Sequence, residues 1–247
     1  MTVTIGLIGY GRFGEFAAGH LVRRAKVIVH DAKRSRLRKL PVGARRGSLI
    51  EVASQPVVVL AIPVSSLRSV LTKLRHHIRP GCLVVDVCAV KSTPIRWMKE
   101  CLPADVGILG THPLFGPDSA RQGLRGKTIV LCPVRISSQH LGRVLTELHR
   151  LGIETAFMAP SEHDRFMAET ILLTQYIGRL VDRSGARRWH SVTAHYGQLL
   201  SIVDTVRHDT TELFSDMVHF NPNGRALIAA LHKAARSLRR DLRQSRR

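Results

Sequence analysis

Residues 3–8 (VTIGLI) form a short apolar run that meets Gly9-Tyr10-Gly11-Arg12-Phe13-Gly14 and passes straight into a segment with Phe13, Phe16, Ala17 and Leu21 on one helical face. A buried strand joined to a helix through G-x-G-x-x-G constrains the fold more than any other feature of the chain. The first glycine permits the tight turn, the second lets the backbone approach a pyrophosphate, and the third allows close packing of helix on strand. The same alternation continues downstream. Apolar strands are expected at 26–30 (KVIVH), 57–62 (VVVLAI), 82–87 (CLVVDV), 106–110, 127–132 (KTIVLC) and near 153–157. Between them, Leu67, Val70, Leu71, Leu74 and Ile78 recur at helical spacing, as do Leu141, Val144, Leu145 and Leu148, and a short helix is expected near Pro94–Cys101. Strand–helix alternation at this spacing predicts an α/β fold with a Rossmann-type, doubly wound parallel sheet.

After "APSEHDRF" the strand pattern ceases. Ser161 can cap a helix, and from Glu162 to Arg247 only helical periodicity remains, as in Leu227, Leu231, Leu238 and Leu242. The expected organisation is a dinucleotide-binding domain over residues 1–160 and a smaller all-helical domain over 161–247, serving substrate binding and dimerisation. About 85 residues of apolar-faced helix are few for an independent core, and packing against a second copy, giving a homodimer, is the economical solution.

In such a sheet, ligands bind outside the carboxyl ends of the strands. The glycine turn, Ala61-Ile62-Pro63, the segment from Asp86 to Lys91, and Thr111-His112 all arrive there. Gly9, Gly11, Arg12, Phe13, Gly14, Ile62 and Pro63 are therefore the expected dinucleotide contacts, together with Asp31, which lies 17 residues after Gly14 at the end of the second strand. A carboxylate there suits a ribose 2′-OH and favours NAD, whereas the following Lys33, Arg34 and Arg36 suit a 2′-phosphate and leave NADP open. The stretch "GILGTHPLFGPDS" reads as a strand stopped by Pro113, which delivers His112 to this edge, beside a nicotinamide.

Composition bounds the rest. With 44% hydrophobic and 23% charged residues the chain is globular, and no run of 18 apolar residues suggests a membrane span. The start "MTVTIGLIG" is strand-like, unlike a signal peptide. Cys82, Cys88, Cys101 and Cys132 lack C-x-x-C spacing and read as reduced thiols in a cytoplasmic protein; no metal site is expected. The net charge is +20, with seven Lys or Arg between Ala32 and Ile50 and eight in the last 23 residues. Anionic small molecules, nucleic acid or merely a solvated basic surface account for such charge. Nucleic acid is disfavoured, because aromatics are only 5% and no recognised module is present.

The segment "VVDVCAVKSTPIRWM…GTHPLFGPDSARQGLRGKTIVL" resembles the prephenate/arogenate dehydrogenase family of tyrosine biosynthesis, which carries Asp-x-x-Ser-Val-Lys followed by a His-Pro-φ-x-Gly loop. The likeness continues more loosely from "SEHDRFMAE" to "LFSDMVHFNPN". It implies NAD(P)-dependent oxidative decarboxylation of an anionic cyclohexadiene, with His112 accepting the ring-hydroxyl proton. It also places Lys91, Gly116 and His163 with the substrate, and Gln175 where the family has a second histidine. Lys91, Arg121, Arg125 and Lys127 would supply an attractive field. Two departures stand out: Ala89 replaces the serine that hydrogen-bonds the catalytic histidine, and Gly197 falls where many members have a carboxylate-gripping arginine. A working dehydrogenase and a dinucleotide-binding relative with lost or altered chemistry therefore both remain open. The 3-hydroxyacid dehydrogenases, which share the layout, resemble families using a lysine from the helical domain; here no lysine lies between Lys127 and Lys233.

Overall fold

The computed structural model describes residues 3–245. Cα packing divides the chain into two units, Met1–Pro160 and Ser161–Arg247.

The first unit is built on one eight-stranded sheet of order β3-β2-β1-β4-β5-β6-β7-β8. Its strands are β1 (Thr4–Ile8), β2 (Lys26–His30), β3 (Ala44–Arg46), β4 (Val57–Leu60), β5 (Leu83–Asp86), β6 (Gly107–Pro113), β7 (Thr128–Arg135) and β8 (Glu154–Phe157). The helices are α1 (Arg12–Leu21), α2 (Leu49–Ala53), α3 (Val64–Leu74), α4 (Ser92–Cys101) and α5 (Ser138–Arg150). The central strands lie between covered faces, so Val58, Leu60 and Val84 are fully buried, as is the α3 stripe of Leu67, Leu71 and Leu74. Each such side chain contributes about 1.5–3 kcal/mol.

Two features depart from the sequence reading. The sheet is mostly parallel, but β7 runs antiparallel to β6, and β8 follows β7 in parallel. No crossover helix separates β6 from β7, and a parallel return needs one. In addition, β6 does not stop before Pro113. His112 pairs with Val130, Pro113 pairs with Ile129, and the Leu114 amide donates to the Thr128 carbonyl at 2.9 Å. Main-chain groups alternate sides along a strand, so the Pro113 nitrogen faces the β5 side, where β5 has already ended at Asp86 opposite Gly110. The missing N–H costs no ladder bond there.

The second unit is helical. Helix α6 (Pro160–Met167) starts at Pro160 itself, a favoured first position. It continues through a π-helical turn at Ala168–Leu172 into α7 (Leu173–Arg183), followed by α8 (Ala194–His208), α9 (Thr211–Phe220) and α10 (Gly224–Gln244). Its interior is partly polar: His163, Asp164, Gln175, Asp216 and Asn221 are buried. In α10 only Gly224 is buried, and Leu238 and Leu242 are exposed.

Candidate active site

The glycine turn divides its three glycines by task. Gly9 has φ +96°, and a Cβ there would stand 2.2 Å from the Ala61 carbonyl oxygen. A Cβ on Gly14 would stand 2.0 Å from the Gly9 oxygen, so α1 seats directly on the turn. A Cβ on Gly11 would meet nothing within 4 Å. Gly11 also precedes the first residue of α1, where free amides and the helix dipole favour an anion. Two glycines are demanded by the protein itself; the third leaves room for a phosphate group.

At the end of β2, Asp31 is 6% exposed and accepts from the Tyr10 amide and the Lys33 amide, both at 2.7 Å. Arg36 also donates to it at 3.3 Å. The carboxylate thus ties the glycine turn to the end of β2.

Along the carboxyl edge, β1, β4, β5 and β6 follow in order, three strand spacings or about 14 Å from Gly9 to the β6 line. Ile62 is half-buried and its carbonyl accepts from Cys88 Sγ at 3.8 Å. Pro63 is exposed at the start of α3, and Phe13 lies 5.9 Å from Phe16, ring to ring.

Because β6 overhangs β5, its last residues need other partners, and these come from the chain that follows β5. Lys91 Nζ donates to the Thr111 carbonyl at 2.7 Å and pairs with Asp86 Oδ1. The Thr111 hydroxyl donates to the Asp86 carbonyl at 2.7 Å. The Cys88 amide donates to Asp86 Oδ1 at 3.0 Å, while Asp86 Oδ2 has no hydrogen-bond partner among the described residues. Burial pushes the Asp86 carboxyl up, and the Lys91 ammonium pulls it back. This brace fixes the backbone on the N-terminal side of His112, a residue only 7% exposed. Ala89, half-buried between Asp86 and Lys91, offers no side-chain hydrogen bond.

Beyond His112, the loop packs against α1. Phe115 meets Phe16 edge-on at 6.3 Å, and Asp118 binds Arg12 at 2.7 Å and Arg121 at 3.1 Å. Gly116 donates its amide to Ser119 Oγ at 3.0 Å. Arg121, Arg125 and Lys127 line a cavity of about 350 Å³ with Asp118.

Three of the expected substrate contacts are enclosed by protein groups. Lys91 is fully buried, and its ammonium pairs with Asp86 and donates to Thr111. His163 is fully buried, its Nδ1 3.0 Å from Asp164 Oδ1. Gln175 is buried, with Nε2 donating to Asp209 at 2.5 Å and Oε1 accepting from Arg179 at 3.3 Å. Arg179 in turn lies over Phe214, 4.9 Å from the ring centre. Gly197 lies within α8. The sequence reading overlooked Asp118, and it named Asp86 only as a boundary. A lone Asp and Lys five residues apart in "VVDVCAVK" were the available signal, since buried lysine requires a partner.

Fold and turn define a class: a nucleotide-binding, doubly wound α/β unit followed by a helical unit. The particular family follows from comparison with known proteins. Residues 21–154 match the family model described as prephenate dehydrogenase, nucleotide-binding domain, and residues 185–247 match one described as TYRAAT1-like, C-terminal domain. The chain belongs to the prephenate dehydrogenase family. It is 28% identical to arogenate dehydrogenase 1, chloroplastic, of Arabidopsis thaliana, over 96% of this chain and 39% of that protein. It is 29% identical to arogenate dehydrogenase 2, chloroplastic, of the same plant, over 96% of this chain and 69% of the relative. The chain thus spans well under half the length of the first of these relatives. Among solved structures, prephenate dehydrogenase from A. aeolicus in complex with hydroxyphenyl propionate and NAD+ shares the fold at TM-score 0.77 and 20% identity, covering 99% of this chain and 92% of that one. Synechocystis arogenate dehydrogenase does so at TM-score 0.67 and 24% identity, covering 96% and 90%. No helix among the described residues is long and apolar enough to cross a membrane.

Proposed function

We propose that the chain is a nicotinamide-dinucleotide-dependent dehydrogenase acting on a prephenate- or arogenate-type cyclohexadiene, with His112 as general base. The observation that carries this reading is the pairing, on one sheet edge, of a glycine turn left open only at Gly11 with a histidine whose backbone is braced by a buried ion pair. The family membership and the names of the relatives support the substrate class.

Gly11 would leave room for the pyrophosphate on a turn shaped by Gly9 and Gly14, with Arg12 at its flank and Phe13 beside the turn. Asp31 would border the adenosine ribose, with Ile62 and Pro63 under the rest of the dinucleotide. When bound, the dinucleotide supplies a hydride acceptor. His112 takes the proton of the ring hydroxyl as the adjacent C–H bond gives up its hydride. The ring–carboxylate bond then breaks, CO₂ departs, and the electron pair left behind completes the aromatic ring. His112 returns its proton to the phenolate oxygen. The base must be neutral to act. Gly116 shapes the loop that follows His112.

A second reading, altered chemistry on a retained dinucleotide site, is favoured by Ala89, which offers no hydroxyl, and by the enclosed Gln175. Absorbance of NADH or NADPH, recorded with prephenate and arogenate and each cofactor, decides between them. Turnover supports the dehydrogenase; dinucleotide binding without turnover supports the second reading. Within the first reading, Ala89→Ser is expected to raise kcat. We also assign a homodimer to the helical unit, on the exposed Leu238 and Leu242. Light scattering giving 27.5 kDa at micromolar concentration would rule that out.

A further inference from the structure

We infer that the arginine-rich face of α10 is a docking surface for the phosphate backbone of a nucleic acid, a role separate from the chemistry proposed above. At about 100° per residue, Leu227, Leu231, Leu238 and Leu242 fall within an arc of about 60°. Arg225, Lys233, Arg236, Arg239, Arg240 and Arg243 fall within an arc of about 120° on the opposite side of the helix. Only Ala229 and His232 share that second arc, and Asp241, the one acid of α10, lies outside it.

All six cations are exposed, and none stands in an ion pair among the described residues. From Arg225 to Arg243 they run along about 27 Å of helix. The leucine stripe has other uses. Helix α10 packs on α9 and the π-helical turn, with Leu227 and Leu231 half-buried, while Leu238 and Leu242 are exposed and are assigned above to a second copy. Covering that stripe leaves the opposite, cationic face turned to solvent.

Charge complementarity calls for a polyanion, and the make-up of the face selects which one. A bilayer takes up an interfacial helix through its apolar stripe. Lying that way, α10 would hold its cations about 10 Å from the headgroups, roughly a Debye length. An acidic protein interface is anchored by large aromatic or apolar side chains. Between these cations there is only Ala229, with His232 bound to the Tyr176 hydroxyl. A phosphate backbone needs neither stripe nor anchor. Guanidinium groups bind phosphate oxygens through paired, charge-assisted hydrogen bonds that carry no sequence information. The low aromatic content that argues against base stacking is no obstacle to backbone contact.

Fluorescence anisotropy of the full chain with labelled DNA duplexes of two unrelated sequences, followed as salt rises from about 50 to 200 mM, tests this. Both duplexes should bind alike, with a log–log salt slope of about −4 to −5, as expected for four to six neutralised phosphates. A triple variant, Arg236→Ala with Arg239→Ala and Arg240→Ala, should weaken binding by about 10- to 100-fold and flatten the slope by about 3. Alanine is the best helix former, so α10 should persist, which circular dichroism checks. A control triple, Arg24→Ala with Lys73→Ala and Lys99→Ala, removes the same charge from exposed positions of the first unit. It should change the slope by less than about 1. The proposal is overturned if wild type does not bind at the lowest salt, or if the two triples lose affinity equally. It is also overturned if anionic phosphatidylserine vesicles or polyglutamate bind wild type more tightly than the duplexes do, which would give the face to a bilayer or to an acidic protein.

Discussion

The carboxyl edge of the sheet and the interior of the helical unit both carry buried polar residues, yet they use them in opposite ways. At the sheet edge, Asp86, Thr111 and Lys91 are buried so that a neighbour, His112, is held in place. In the helical unit, Gln175, Asp209 and Arg179 satisfy one another across α7 and the α8–α9 connection, and their hydrogen bonds stay within that unit. The buried polar groups of the first region thus brace a candidate functional residue, whereas those of the second close on one another. A polar side chain can serve a ligand only where its remaining hydrogen-bonding capacity faces outward.

The sharpest way to break this contrast is at Lys91. Lys91→Met leaves the Asp86 carboxylate buried and unpaired, and is expected to cost about 3–5 kcal/mol of stability near neutral pH. The folded-state pKa of Asp86 is raised by burial. A raised folded value means that the favourable, protonated form persists at low pH and is lost as pH rises through that value. Removing the ammonium that opposes the shift makes the loss larger at pH 8 than at pH 5 in urea denaturation. Equal losses at both pH values would mean that the pair is not a buried charge pair.

A smaller effect separates the two kinds of glycine. Gly14→Ala forces a methyl group against the Gly9 oxygen and should cost about 1–3 kcal/mol. Gly11→Ala meets open space and should leave the melting temperature unchanged while weakening dinucleotide binding. If Gly11→Ala were as destabilising as Gly14→Ala, the open cradle would be wrong.

Gln175→Ala tests the helical side of the contrast. It should cost about 1–3 kcal/mol, because Asp209 and Arg179 lose a partner, without changing KM for the cyclohexadiene. A raised KM at unchanged stability would return Gln175 to the substrate site.

Much of the sheet was legible because its signals are local. The turn at Gly9–Gly14, the apolar run of β4 and the leucine stripe of α3 each declare themselves within about a dozen residues. Strand β3 did not, since three residues that include Arg45 and Arg46 have no apolar pattern to show. The extension of β6 through Pro113 depends on which side the proline nitrogen faces, and the reversal of β7 depends on the missing crossover helix. Both are tertiary facts. The role of Lys91 was hidden for a related reason: a lysine is ordinarily read as exposed, and only the overhang of β6 past β5 gives its ammonium a buried carbonyl to hold.

The central claim is that His112 acts on substrate and not on the cofactor. The direct measurement is NAD(P)H formation by His112→Asn, set beside calorimetric dinucleotide affinity of the same variant. Turnover is expected to fall by about 10²–10⁴-fold with the dissociation constant for the dinucleotide unchanged. Retained turnover, or a parallel loss of dinucleotide binding, would contradict the assignment of His112 as the base.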